Sequence, residues 1–211
     1  MDVMTQNPRR VRRVALAVTA LAAGAAISLT ACGSSSSDTS APAASSSASA
    51  SAGSHNAADA MFVQMMIPHH EQAVAMSDML LAKQGIDGRV SALAQEIKAA
   101  QGPEIATMKR WASSWGVSTD GSMSMDHGSM DHGSMSGMMS ADDMNRLQAA
   151  QGADAATLFL DQMIEHHTGA ITMAQNEIRT GQDPTAKQLA ESIVTTQQRE
   201  IGTMKQLLAQ L

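Results

Sequence analysis

The sequence predicts an all-α protein, a four-helix bundle built from two repeated helical hairpins. Three observations carry that expectation. From about residue 57 onward, between sparse Gly, Pro and Asn, apolar residues recur at spacings of three and four rather than two. The segment Met66-Ile67-Pro68-His69-His70-Glu71-Gln72-Ala73-Val74-Ala75-Met76 returns as Met163-Ile164-Glu165-His166-His167-Thr168-Gly169-Ala170-Ile171-Thr172-Met173. Further along each half, Gln101, Glu104, Ile105, Met108 and Lys109 return as Gln197, Glu200, Ile201, Met204 and Lys205, one residue out of step with the first offset.

Residues 1–31 read as an export signal: Arg9, Arg10, Arg12 and Arg13 precede an apolar stretch from Val14 to Leu29. That stretch is short for a membrane span, which needs about 20 apolar residues. Leu29-Thr30-Ala31-Cys32 is similar to a bacterial lipobox, which implies cleavage before Cys32 and a lipid on its sulfur. A membrane-anchored lipoprotein on the outer face of the cytoplasmic membrane is therefore expected, with a buried structural thiol as the competing account of the single cysteine. Paired arginines allow a twin-arginine route, but the hydrophobic residues usual after that signal are absent, so general secretion is expected.

Residues 32–56 are dominated by Ser and Ala and read as a disordered tether, since such a composition cannot bury enough apolar surface to offset the entropy of ordering. Removal of residues 1–31 would leave 19 acidic against 10 basic residues, a surface poorly suited to nucleic acid. The domain then covers 57–211, enough for one core.

Within it the periodicity predicts helices over 57–84, 88–115, 154–180 and 184–210, with a short helix over 141–150 leading into the third. Their ends have local reasons. Gly85 and Gly181 follow apolar runs, Gly116 stops the second helix, Asp183 caps the fourth with Pro184 in its first turn, and Ser140 opens the short helix, whose first turn holds Asp142 and Asp143. Phe62 and Phe159 match between halves, as do Trp111 with Leu207 and Trp115 with Leu211, so each pair is expected to fill equivalent core layers.

On a helix, residues four apart lie nearly above one another and residues seven apart are offset by only about 20°. Met66, His70 and Ala73 therefore share one ridge, and Met65, His69 and Met76 the adjacent one. Met163, His167 and Ala170 repeat the first ridge, and His166 with Met173 most of the second. The alanines leave space for a facing helix or for an ion. Methionine packs adaptably, so a Met stripe alone points to core. Two His-His pairs on facing helices change the balance, because burying several imidazoles costs polar desolvation that coordination of their neutral nitrogens would offset. Glu104 and Glu200 are either acceptors behind those histidines or solvated helix residues. Pro68 removes one helical hydrogen bond and frees the carbonyl of Gln64. No histidine has a glutamate three residues before it, which argues against a di-iron or di-manganese centre.

The connection at 117–140 carries a second metal signal, with Asp-His-Gly-Ser-Met twice in succession. Across 123–139, Met123, Met125, His127, Met130, His132, Met135, Met138 and Met139 have no accompanying Leu, Ile or Val, so packing does not explain them. Thioethers are soft ligands that favour Cu(I), and Ag(I) as its mimic, whereas imidazole also serves zinc. An expanded low-complexity linker is the competing account.

The pattern Met-Ile-x-His-His-x-x-Ala-x-x-Met, followed by Gln-x-x-Glu-Ile-x-x-Met-Lys, resembles the bacterial family called Domain of Unknown Function 305, over residues 57–211 and in both copies. The resemblance implies a ferritin-like helical bundle, an exported location and, for some members, copper binding. Carried onto this chain, the implied metal residues are His69, His70, Met66, Met76, His166, His167, Met163 and Met173. The second copy departs from the first, with Glu165 for Pro68 and Thr168-Gly169 for Glu71-Gln72, so the two halves are not expected to bind equally.

The reading that follows is a non-enzymatic, lipid-anchored protein that captures or buffers Cu(I) for copper homeostasis or resistance, with the loop as a low-affinity collector and an envelope metal-handling protein as an open partner. No activated cysteine, serine motif with placed partners or phosphate-cradling glycine loop is present. The rival is a helical interaction module of the envelope whose His-His pairs only order its core.

Overall fold

A computed structural model describes residues 54–119 and 136–211. The expected signal, Cys32 with most of the tether, and loop positions Met123 to Met135 lie outside the described residues. Five helices form: α1 (Ala57–Leu81), α2 (Gly88–Trp115), α3 (Ala141–Ala149), α4 (Gly152–Thr180) and α5 (Pro184–Leu208). There are no strands among the described residues, and no helix there is long and apolar enough to cross a membrane.

The chain ends most of these helices where its capping chemistry is. Asn56 accepts from the amides of Ala58 and Asp59, and Asp59 accepts in return from the Asn56 amide at 2.6 Å, a reciprocal box that holds the start of α1. Ser140 and Asp143 do the same for α3. Asp183 accepts from Thr185 and Ala186 ahead of Pro184, and Gly116 closes α2 in the left-handed region at φ +67°. Four ends differ from expectation, among them those of α3, at Ala149 rather than 150, and α5, at Leu208 rather than 210. Helix α1 stops at Leu81 rather than 84, because the turn through Gly85 (φ +73°) starts earlier. Helix α4 begins at Gly152 rather than 154, behind Gln151, which gives no side-chain cap.

Helix α1 packs on α2, α4 on α5, and the two hairpins meet chiefly through α1 and α4. The core is not continuous. One apolar cluster gathers Ala73, Met76 and Leu80 of α1, Val90 to Ile97 of α2, Leu147 of α3, Ala155 to Met163 of α4, and Met204 with Leu207 of α5. The other gathers Phe62, Val63, Met66 and Ile67 of α1, Met108 and Ala112 of α2, Ala170 and Ala174 of α4, and Ala190 with Ile193 of α5. The late part of α1 thus lies with the early part of α4, so the two helices run antiparallel.

Antiparallel packing sends repeat-matched residues to opposite ends of the bundle. Phe62 fills one cluster and Phe159 the other, as the duplication requires. Burying one such side chain contributes about 1.5–3 kcal/mol. The expectation fails at the last pair: Leu211 lies beyond α5 and is 47% exposed, so nothing holds it against the core. Its match Trp115 is half-buried and stacks between Trp111 and His55, with ring centroids 5.8 and 4.8 Å away.

Candidate metal centre

Between the two apolar clusters every long helix contributes polar residues, and these are the repeat-matched ones: His69 and His70 on α1, Gln101 and Glu104 on α2, His166 and His167 on α4, Gln197 and Glu200 on α5. All four imidazoles are fully buried. His69 and His166 meet across the α1–α4 contact with ring centroids 3.7 Å apart and planes tilted by 40°. His166 and His167 follow at 6.4 Å.

The second half of each hairpin holds the outer edge of these rings. His70 Nε2 lies 2.8 Å from Glu104 Oε2, and His167 Nε2 lies 2.7 Å from Glu200 Oε2. A carboxylate only accepts, so in each pair Nε2–H donates, and Nδ1 is the ring atom on which a lone pair can be offered. His69 Nε2 likewise donates to the Ser136 carbonyl at 3.3 Å. That assignment leaves Nδ1 of His69, His70 and His167 as lone-pair donors. Among the described residues none of these three atoms has a hydrogen-bond partner, and in His166 neither ring nitrogen has one. A buried polar atom without a partner costs about 1–3 kcal/mol, so this layer weakens the fold unless something binds it.

Electrostatics keep the inner rings neutral. Burial lowers the His69 imidazole to about 3, with the neighbouring His70 and His167 adding to the effect against the Ser136 carbonyl. His166 is pushed well below the usual histidine range by burial and then by His69, His167 and His70. Neutral imidazoles with free Nδ1 lone pairs are ready metal donors. Among the described residues no three His, Cys, Asp or Glu side chains already converge as a multidentate set.

Met66 belongs to the cluster holding Ala170, and Met163 and Met76 to the one holding Ala73, so each alanine shares its cluster with a methionine of the other copy. Ala73 and Ala170 are both buried in this apolar packing. Met173 is half-buried at the edge of a groove of about 330 Å³, where Met61, Met65, Phe62, Ser136 and Glu177 also line the wall. Of the loop positions within the described residues, Met139 is 6% exposed and sits in the apolar cluster with Leu147, while Met138 is half-buried. Packing therefore accounts for the burial of the Met139 side chain.

Several residues of the site were not singled out for it by the sequence. Gln101 and Gln197 stood in the repeat, yet only the structure puts their buried, largely unpartnered amides in the imidazole layer. Gln72 makes two bonds to the Met139 backbone, and Gly169 lies against Ser136 and Gly137. Both sit at one repeat position, and that mismatch between copies was the available signal.

Fold and site together define a class: a helical bundle whose middle layer is a centre of buried histidines, two of them backed by glutamates. The chain belongs to the family described as Domain of unknown function (DUF305), whose model matches residues 59–208. It is similar to the crystal structure of a DUF305 protein from Streptomyces coelicolor, at 31% identity and a TM-score of 0.64, over 72% of this chain and 93% of that one. It is also similar to CopM in the Cu(II)-bound form, at 32% identity and a TM-score of 0.60, over 72% of this chain and 96% of that one. CopM has further been solved with Cu(I) and with silver, both at 30% identity and a TM-score of 0.57. Uncharacterized protein L153 of Acanthamoeba polyphaga mimivirus is 44% identical over 50 residues, which span 24% of this chain and 33% of that protein.

Proposed function

We propose that this protein is an exported, lipid-anchored copper-binding protein, which captures or buffers Cu(I) in the buried histidine layer and performs no catalysis. The observation that carries the reading is the set of imidazole nitrogens, buried and without hydrogen-bond partners among the described residues, on His69, His70, His166 and His167. A bound soft cation would supply the partner those nitrogens lack and offset their desolvation. Zinc takes four ligands in structural sites, and no such set is assembled among the described residues. Cu(I) and Ag(I) accept two nitrogen donors, which a pair of facing imidazoles can offer. Glu104 and Glu200 would act from behind, fixing tautomer and raising the basicity of His70 and His167. CopM, similar in fold and sequence, binds copper and silver, which supports carrying that cargo to this chain.

Met66, Met76, Met163 and Met173 would then serve as neighbours of the site, reached by small shifts of their clusters. The stretch holding Met123, Met125, His127, Met130, His132 and Met135 would collect the ion at lower affinity, and a lipid on Cys32 would keep the domain at the membrane.

The test is a Cu(I) competition titration of the intact protein, of a version lacking residues 123–135, and of one with His69, His70, His166 and His167 all replaced by Ala. The deletion should keep one tight site and the histidine variant should lose it. If the histidine variant bound Cu(I) as tightly as the intact protein, the buried layer would be structural and the loop alone would carry the metal.

A further inference from the structure

Four residues, Ser136 to Met139, cross the α1–α4 seam beside the histidine layer. The crossing is fixed at several points. Gln72 of α1 clamps Met139 at both backbone groups, its Oε1 accepting from the Met139 amide at 2.8 Å and its Nε2–H donating to the Met139 carbonyl at 2.9 Å. The Met139 side chain anchors the far end in the apolar core. At the near end the Ser136 carbonyl accepts from His69 Nε2.

On the α4 side the fixing device is the removal of side chains. Gly137 takes φ +80°, and a Cβ there would lie 2.6 Å from the Glu165 carbonyl oxygen. A Cβ on Gly169 would lie 1.8 Å from the Ser136 oxygen. Gln72 and Gly169 occupy the same position of the repeat, so the two copies diverge where this strap is laid: one clamps it, the other makes room.

Ser136 has a second neighbour. It lines the groove that also holds the thioethers of Met61, Met65 and Met173, so one residue separates a methionine-lined groove from a buried imidazole. Met61 is 51% exposed, unusual for a side chain whose ordinary use is packing.

We propose that the Ser136–Met139 strap is a gate, and that a soft cation passes between the Met61–Met65–Met173 groove and the histidine layer when Ser136 lifts from His69. The inference rests on the copper-binding reading. The step is a ligand exchange: the cation leaves thioether sulfur for imidazole nitrogen, while His69 keeps its Nε2 proton and trades the Ser136 carbonyl for water. No electron or proton is consumed.

The experiment follows Cu(I) leaving the loaded full-length protein for excess bathocuproine disulfonate, by absorbance, beside an equilibrium titration of each variant. Gly169→Ala is the sharpest variant, because it favours the helix itself while colliding with the strap. It should release Cu(I) roughly tenfold faster with affinity changed by less than about threefold, the pattern of a gate rather than a ligand. Gln72→Ala should act in the same direction, and Met61→Leu with Met65→Leu should slow release. Hydrogen exchange at the Met139 amide reports lifting independently. A freed Met139 amide with a release rate within twofold of the unaltered protein would overturn the gate, as would an amide still protected in both strap variants. Methionine variants with unchanged release would overturn the route through the groove. If the unaltered protein fails to bind Cu(I) in the titration, the functional reading falls; binding with strap-independent release sinks only the gate.

Discussion

The two copies of the repeat share one construction and differ in what covers it. In both, a histidine is tied through Nε2 to a glutamate on the partner helix, at 2.8 Å in the first copy and 2.7 Å in the second. The remaining histidines part company: His69 has the Ser136 carbonyl as a partner, and His166 has none among the described residues. The first copy also carries prolines inside both of its helices, Pro68 immediately before His69 and Pro103 immediately before Glu104, and each removes a helical hydrogen bond at the level of the site. The second copy has Glu165 and Arg199 at the corresponding places. Duplication thus supplied a symmetric set of donors, and divergence gave it one covered side and one more deformable half.

The comparison can be broken most forcefully at the duplicated phenylalanines. Phe159→Ala should cost about 3–5 kcal/mol in chemical denaturation, since the side chain is fully buried. Phe62→Ala should cost less, because Phe62 borders the groove and its loss can be filled from there. Equal losses would mean that the groove does not relieve the second cluster.

Smaller effects are expected at the glutamates. Glu200→Gln should weaken Cu(I) binding by roughly 10–100-fold, the usual consequence of disturbing the group behind a metal-binding histidine. Glu104→Gln should weaken it less, because the Glu104 side chain is 16% exposed against 9% for Glu200 and water can replace it. A competition titration of both variants ranks them, and the reverse order would place the dominant support in the first copy.

The smallest effect concerns the bundle end, where Asp59 accepts the amides of Asn56, Gln182 and Asp183. Burial raises the Asp59 carboxyl, but those amides and Glu177 outweigh it and hold it below its ordinary value. Glu177 is raised to about 8, by burial first and then by Asp59, with Asp183 adding and Lys187 opposing. The folded protein therefore keeps a proton on Glu177 that the unfolded chain releases near pH 4.5. Its contribution to stability is complete below that pH and is lost as pH rises toward 8. Glu177→Gln should remove this slope, so its melting temperature should gain on the unaltered protein as pH rises from 5 to 8. Parallel melting curves across that range would show Glu177 ionised in the fold.

Much of this architecture is legible in the sequence because it is local or repeated. Period-three and period-four spacing sets the helices, Ser140, Asp183 and Gly116 mark several of their ends, and the repeat brings the His-His pairs together once the hairpins pack. What is not legible depends on distant residues meeting. The roles of Glu104 and Glu200 stay open until α2 and α5 are seen beside the histidines. The strap joins residues 136–139 to positions 72 and 169, a contact that no periodicity encodes. Met139 looks like its loop neighbours in sequence, and its packing becomes visible only where α3 carries it into the core. Leu211 matches Trp115 by repeat, yet a helix that ends at Leu208 cannot place it.

The central claim is that the unpartnered imidazole nitrogens are the donors. The direct measurement is nitrogen NMR of the full-length protein labelled at histidine, titrated with Ag(I). The account predicts that one equivalent shifts Nδ1 resonances of the buried histidines while Nε2 of His70 and His167 stays protonated against Glu104 and Glu200. Silver bound tightly with those Nδ1 resonances unmoved would contradict it.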